Sequence, residues 1–340
     1  MIINNVKLSR NIFLKQEVVL ETNNKKISLG ELWEQEIVNK LNKQLMDFKI
    51  ETYQDFIKLK DKLKWLDNEK YKLLETKLIN SIPKFWKFFN PGIRGVPRPM
   101  IRVWEKVTGI KEFFVFSLNA RDFEAALNAN RHIIDNLKNK NLQDLEEEKI
   151  LMKIREAIDE EHALVDFEIR IGLIFNNFEK GKYQYKNKNL NKEEQLEFVK
   201  KLINNYGVCY VENPFSEKDL DSYEKLRELR SKSLICINSK INNYDKAIDK
   251  DAFNTVITKF NDMKNFIVDV NHFKDNNLRI ISEVGNDSAD VIVGMEIPLV
   301  KIEDNKLGNI AAKRIVQIQN EIKEEINNDK INDGYKPRDN

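Results

Sequence analysis

The chain has 340 residues, 41% of them apolar and 33% charged, and its 57 basic side chains are nearly matched by 55 acidic ones, leaving a net charge of +2. This is enough apolar material for a two-domain protein, with too even a charge to draw the whole molecule to nucleic acid or an acidic membrane. The longest apolar runs are strand-sized, such as 113–116, so no membrane span of about 20 residues is expected. The start, Met1-Ile2-Ile3-Asn4-Asn5-Val6-Lys7, lacks the basic and apolar regions of a secretory signal. Cys209 and Cys236 each lie in an apolar run and read as buried free thiols. A cytoplasmic location is the expectation.

Strands are expected at 2–8, 12–21 and 26–29, the last two joined by a turn at Asn23-Asn24. Helices follow at 31–47, 53–66 and 69–89, from apolar residues at three- and four-residue spacing, with Pro83 breaking or kinking the last. Asn90-Pro91-Gly92 through Val96-Pro97-Arg98-Pro99 resembles a domain junction, which sets off residues 1–95 as a small α+β domain.

Beyond it, strands at 113–116, 168–175, 207–211, 234–237, 254–258, 279–282 and 299–302 alternate with helices at 122–137, 146–160, 192–205 and 217–230. Such alternation predicts parallel strands with crossover helices, in a barrel or an open sheet. Neither a G-x-G-x-x-G nor a G-x-x-x-x-G-K-[ST] loop is present, which argues against a nucleotide-binding sheet. The count is seven strands against the eight of a closed barrel, so a degenerate barrel over 96–328 is expected, with 265–270 a spare candidate. The polar tail, 329–340, is expected to be disordered.

Val208-Cys209-Tyr210-Val211-Glu212-Asn213-Pro214-Phe215 resembles the Glu-Asp-Pro-Phe strand of the enolase barrel. Other stretches resemble that family in the same order: Pro97-Arg98-Pro99 its opening Pro-x-Pro, Lys111-Glu112-Phe113 its Gln-Glu-Phe strand, and Ile169-Arg170-Ile171-Gly172-Leu173 its third strand. Val256-Ile257-Thr258-Lys259 resembles the strand bearing the catalytic lysine, and Ala289-Asp290-Val291-Ile292-Val293-Gly294 through Val300-Lys301 resembles the last strand. The resemblance implies an α/β, enolase-like fold: a small N-terminal α+β domain followed by a TIM-type β/α barrel.

Enolases interconvert 2-phosphoglycerate and phosphoenolpyruvate with a lysine base, a glutamate acid and Mg²⁺ held by three carboxylates. By resemblance Lys259 matches the base, Lys301 the lysine that binds the substrate carboxylate, Glu112 a substrate-side glutamate and Glu212 one metal ligand. Composition alone reads the lysines as solvated and Glu212 as a strand-end carboxylate in a salt bridge. The first metal carboxylate becomes Ile174, with Asp166 as a competing register, and the third falls at Asn238, a neutral and weaker donor. The Gly-Asp-Glu-Gly-Gly strand that carries the acid has no counterpart near 138–145, a deletion that accounts for the missing strand. The phosphate loop shrinks to Glu283-Val284-Gly285-Asn286, and Ile27-Ser28-Leu29-Gly30 runs into a helix with no lid.

His132, His162 and His272 have no metal or triad spacing, and Trp86, Phe88, Phe89 and Trp104 read as domain-packing aromatics. The expectation is a non-catalytic binding or assembly homologue. Its partner would be a second copy (a dimer) or a true enolase in a hetero-oligomer. No cofactor is expected, and Mg²⁺ only if family activity survives. Two alternatives stay open: a divergent lyase or isomerase acting on a small carboxylate through Lys259 and Lys301, and residual phosphopyruvate hydratase activity.

Overall fold

The computed structural model describes residues 1–10, 15–31, 33–90, 92–93, 95–107, 109–138, 140–230, 232–237, 244–285, 288–303 and 305–332. The chain opens with β1 (Ile2–Arg10), β2 (Gln16–Thr22) and β3 (Lys26–Gly30), then α1 (Gln35–Leu45), β4 (Phe48–Lys49), α2 (Tyr53–Lys62) and α3 (Asn68–Ile79). The strands form an antiparallel sheet in the order β3-β2-β1-β4. Polar caps set the helix starts: Thr52 and Asp55 form a capping box on α2, and the Asp67 side chain accepts from the Lys70 amide on α3. The helix expected over 69–89 is divided. Ile79 ends α3 before Pro83, and Phe85–Phe88 forms a separate 3-10 turn.

Next come β5 (Arg98–Glu105), β6 (Ile110–Leu118), α4 (Phe123–Lys138), α5 (Glu147–His162) and β7 (Glu168–Phe175). Short strands β8 (Phe178–Glu179), β9 (Lys182–Gln184) and β10 (Asn189–Leu190) form a small sheet before α6 (Lys192–Tyr206). The rest is β11 (Val208–Glu212), α7 (Leu220–Leu229), β12 (Leu234–Cys236), α8 (Tyr244–Asp249), β13 (Thr255–Lys259), α9 (Met263–Asp275), β14 (Arg279–Glu283), α10 (Ala289–Gly294), β15 (Leu299–Ile302) and α11 (Lys306–Asn332).

Eight of these strands close a barrel in the order β11-β12-β13-β14-β15-β5-β6-β7. The expected seven-stranded, degenerate barrel is therefore wrong. The eighth strand is β5, which begins at the end of the stretch read as a junction, and the candidate at 265–270 is part of α9. Pro99 sits second in β5, where a missing amide costs least, and Met100, Ile101 and Val103 are buried. The barrel is also not wholly parallel, because β6 pairs antiparallel with both β5 and β7. A tight turn after Glu105, with Gly109 at φ 81, makes that reversal possible. The barrel thus closes without any strand from 138–145. At the far end α11 runs through 329–332, where disorder was expected, and 333–340 lie outside the described residues.

Period-two alternation fills the barrel. Met100, Phe114, Phe116, Ile174, Tyr210, Cys236, Ile281 and Leu299 form an interior cluster, while outward residues such as Val115, Ile171, Val211 and Val256 join the larger core under the helices. Trp86 is buried and its indole donates to Glu321 of α11 at 2.9 Å. Lys84 and Lys87 both reach Glu325, at 2.5 and 2.6 Å. Trp86 thus helps bind the first helical layer to the barrel.

Candidate active site at the barrel mouth

Above the interior cluster, the strand tips line a cavity of about 570 Å³ that includes Arg102, Glu112, Glu212, Lys259, Glu283 and Lys301. Glu112, Glu212, Lys259 and Lys301 come from four separate strands and meet here because β6 enters the mouth at its start while the other strands end there.

The inner half is tightly paired. Lys301 donates to Glu212 Oε2 at 2.8 Å, and the Tyr210 hydroxyl donates to the same oxygen at 2.6 Å. The Lys301 and Glu212 side chains are only 10% and 12% exposed. The ammonium also lies 5.0 Å from the Phe114 ring centroid and 5.8 Å from that of Tyr210, both on the inner face. Burial above all, then Cys236 and Glu212, holds the Tyr210 phenol well above its ordinary range. Burial likewise pushes up the thiol of Cys236, and that of Cys209 although Arg170 and Arg279 oppose it.

The outer half is looser. Lys259, 67% exposed, stands 3.3 Å from Glu283, its cross-strand neighbour. Glu112 is approached by Lys111 at 3.5 Å and Arg102 at 3.8 Å, although Arg102 lies closer to Glu105, at 3.0 Å. Among the described residues, four basic ones (Arg102, Lys111, Lys259, Lys301) face four acidic ones (Glu112, Glu212, Glu283, Glu303) around the wall, so their charges cancel. A phosphate would find its cationic partners already engaged.

Pairing register shows which residues stand beside Glu212. Glu212 pairs with Ile174 on one side and Cys236 on the other, and Ile174 lines the cavity. Asp166 precedes the start of β7, at the opposite end of the barrel. Asn238 lies outside the described residues. Among the described residues no three His, Cys, Asp or Glu side chains gather as a metal set. Mg²⁺ needs hard oxygen donors. Among the described residues, Glu212, already bound to an ammonium and with carbon and sulfur side chains beside it in register, does not fit that ion.

The histidines stay apart. His132 lies 3.4 Å from Glu161, the His162 Nε2 accepts from the Ile169 amide at 2.9 Å, and His272 packs on Phe273. Sequence reasoning missed Arg102 and Glu303 as pocket residues. Arg102 could have been found from Met100-x-Arg102 on one strand face, had β5 been recognised.

An eight-stranded β/α barrel with one reversed strand and charged strand tips defines the class of protein. Residues 141–279 match the model of the enolase C-terminal TIM barrel domain. The chain is 28% identical over 163 residues to the enolase of Metallosphaera sedula, covering 43% of this chain and 39% of that one. It is 28% identical over 204 residues to that of Thermoplasma acidophilum, half of each chain, and 37% identical over 83 residues to that of Pyrobaculum aerophilum, 22% and 19% of the two. Over these stretches the chain is similar to enolases, at low identity. It spans half or less of the length of these relatives.

Proposed function

We propose that this protein is a non-catalytic member of the enolase family that acts by binding or assembly in the cytosol, with residues 1–95 and 96–328 as its two domains. The observation that carries this reading is the Lys301–Glu212 pair. The one retained metal carboxylate is neutralised by an internal cation, flanked by Ile174 and Cys236 in register. Stabilising the enolate-type intermediate between 2-phosphoglycerate and phosphoenolpyruvate needs divalent charge, which this donor set is ill-equipped to hold. The partner is a second copy of this chain or a catalytically complete enolase. A coupled assay for phosphoenolpyruvate formation with excess Mg²⁺ is expected to give no turnover, and light scattering to give an assembly larger than the monomer. Mg²⁺-dependent turnover would overturn the reading.

The exposure of Lys259 supports a second reading, a lyase or isomerase acting on a small carboxylate. Lys259 would be the base and Lys301, once released from Glu212, the carboxylate clamp, with Glu112 across the cavity. It predicts solvent deuterium exchange into one of a panel of 2-hydroxy acids, abolished by Lys259→Ala. An exchange rate equal to that of buffer for the whole panel rules this reading out.

A further inference from the structure

The N-terminal helices meet the barrel through a buried acid that the cavity does not use. Glu75 on α3 is 2% exposed and accepts from the Tyr71 hydroxyl at 2.8 Å. Its two carboxyl oxygens lie 3.4 and 3.3 Å from the amide nitrogen of Met263, the first residue of α9. Asp262, just before it, is also buried, and it caps α9 by accepting from the Asn265 amide at 3.1 Å and the Asn265 side chain at 2.8 Å. Two carboxyl groups therefore approach one helix end away from water.

The cations around this point are turned elsewhere. From α2, the Lys60 ammonium lies over the Tyr71 ring, 3.9 Å from its centroid. Asp61, also on α2, holds Lys264 of α9 at 2.6 Å. A buried carboxyl facing another, with no ion pair of its own among the described residues, favours its protonated form. Burial raises Glu75 to about 7, against the Tyr71 hydrogen bond and with the push of Asp262; Met263 and Lys60 oppose the rise more weakly. Glu75 is thus poised between its two states near neutrality.

Connectivity ties this contact to the cavity. Phe260, Asn261 and Asp262 alone separate Met263 from Lys259 at the tip of β13. Phe260 lines the cavity, and its ring packs against Phe266 of α9 at 5.5 Å.

We propose that Glu75 is a positioning residue: protonated, it stays buried as a latch between α3 and the start of α9 and so sets where the Lys259 tip stands; deprotonated, its charge, cut off from water and facing Asp262, drives it out of that contact and frees the tip. The latch operates whether or not the cavity takes a ligand. The test is NMR of the full chain with lysines carrying ¹³C-methyl groups, followed from about pH 5.5 to 8.5, a range that brackets the Glu75 transition. The Lys259 signal, assigned with Lys259→Arg, is expected to step near pH 7 in the unaltered protein and to lose that step in Glu75→Gln. The Lys301 signal, held by Glu212, is expected to stay level in both. No step in the unaltered protein, or the same step in Glu75→Gln, overturns the proposal. Should Glu75→Gln fail to fold, Asp262→Asn removes the facing carboxyl instead. The step is then expected at lower pH, and a step left in place overturns the proposal.

Discussion

Lys301 and Glu212 show how one pair of residues sets the character of the barrel mouth. Both are largely buried, so each pays a desolvation penalty that the other, with Tyr210, offsets. Removing one partner leaves the other charge stranded: Lys301→Ala is expected to destabilise the fold by about 3 kcal/mol, read from urea denaturation. The double change Glu212→Leu, Lys301→Met leaves no stranded charge and is expected to cost less than the single one. If the two cost the same, the pair does not hold the mouth together. Lys259 differs because its partner Glu283 is itself 44% exposed, and an ion pair in water contributes about 0–1 kcal/mol. Lys259→Ala should leave stability almost unchanged.

At the scale of elements, α10 depends on close approach. A Cβ at Gly294 would stand 2.6 Å from Phe89 Cδ2 and 2.8 Å from the Trp86 carbonyl oxygen. The backbone oxygen cannot yield without moving the 3-10 turn that Glu321 and Glu325 hold. Gly294→Ala is therefore expected to lose about 1–3 kcal/mol, measured by the same denaturation, although alanine is the better helix former. Arg314 of α11 stiffens this corner, bonding Asp290 at 2.8 and 2.6 Å and Glu321 at 2.9 Å. The β5–β6 hairpin is the other decisive element, since without β5 the barrel has an open edge between β15 and β6.

Across the whole molecule, Glu75 links stability to pH. Its carboxyl lies above the ordinary 4.5, at about 7, so folding takes up a proton between those values. Its contribution is fully present below about 4.5 and fades as pH rises through 7, a difference of about 3 kcal/mol. Denaturation midpoints should therefore fall across that window in the unaltered protein, with a flatter profile in Glu75→Gln. Equal slopes would mean that other groups govern the dependence.

The helices and most barrel strands were legible because three- and four-residue spacing and short apolar runs are local signals, carried by residues such as Phe56, Leu59 and Val256. The strand β5 was not, because its start, Arg98-Pro99 after Pro97, looks like a linker until β15 and β6 are seen hydrogen-bonding to either side. Motif order alone was enough to bring Glu112, Glu212, Lys259 and Lys301 under suspicion. Whether the residue beside Glu212 was Ile174 or Asp166, and that Lys301 had already taken up the Glu212 carboxylate, depended on pairing register and on side chains 89 residues apart meeting at one barrel end. Glu75 is the extreme case: its environment is made by a helix 188 residues away, and no local pattern encodes a contact of that range.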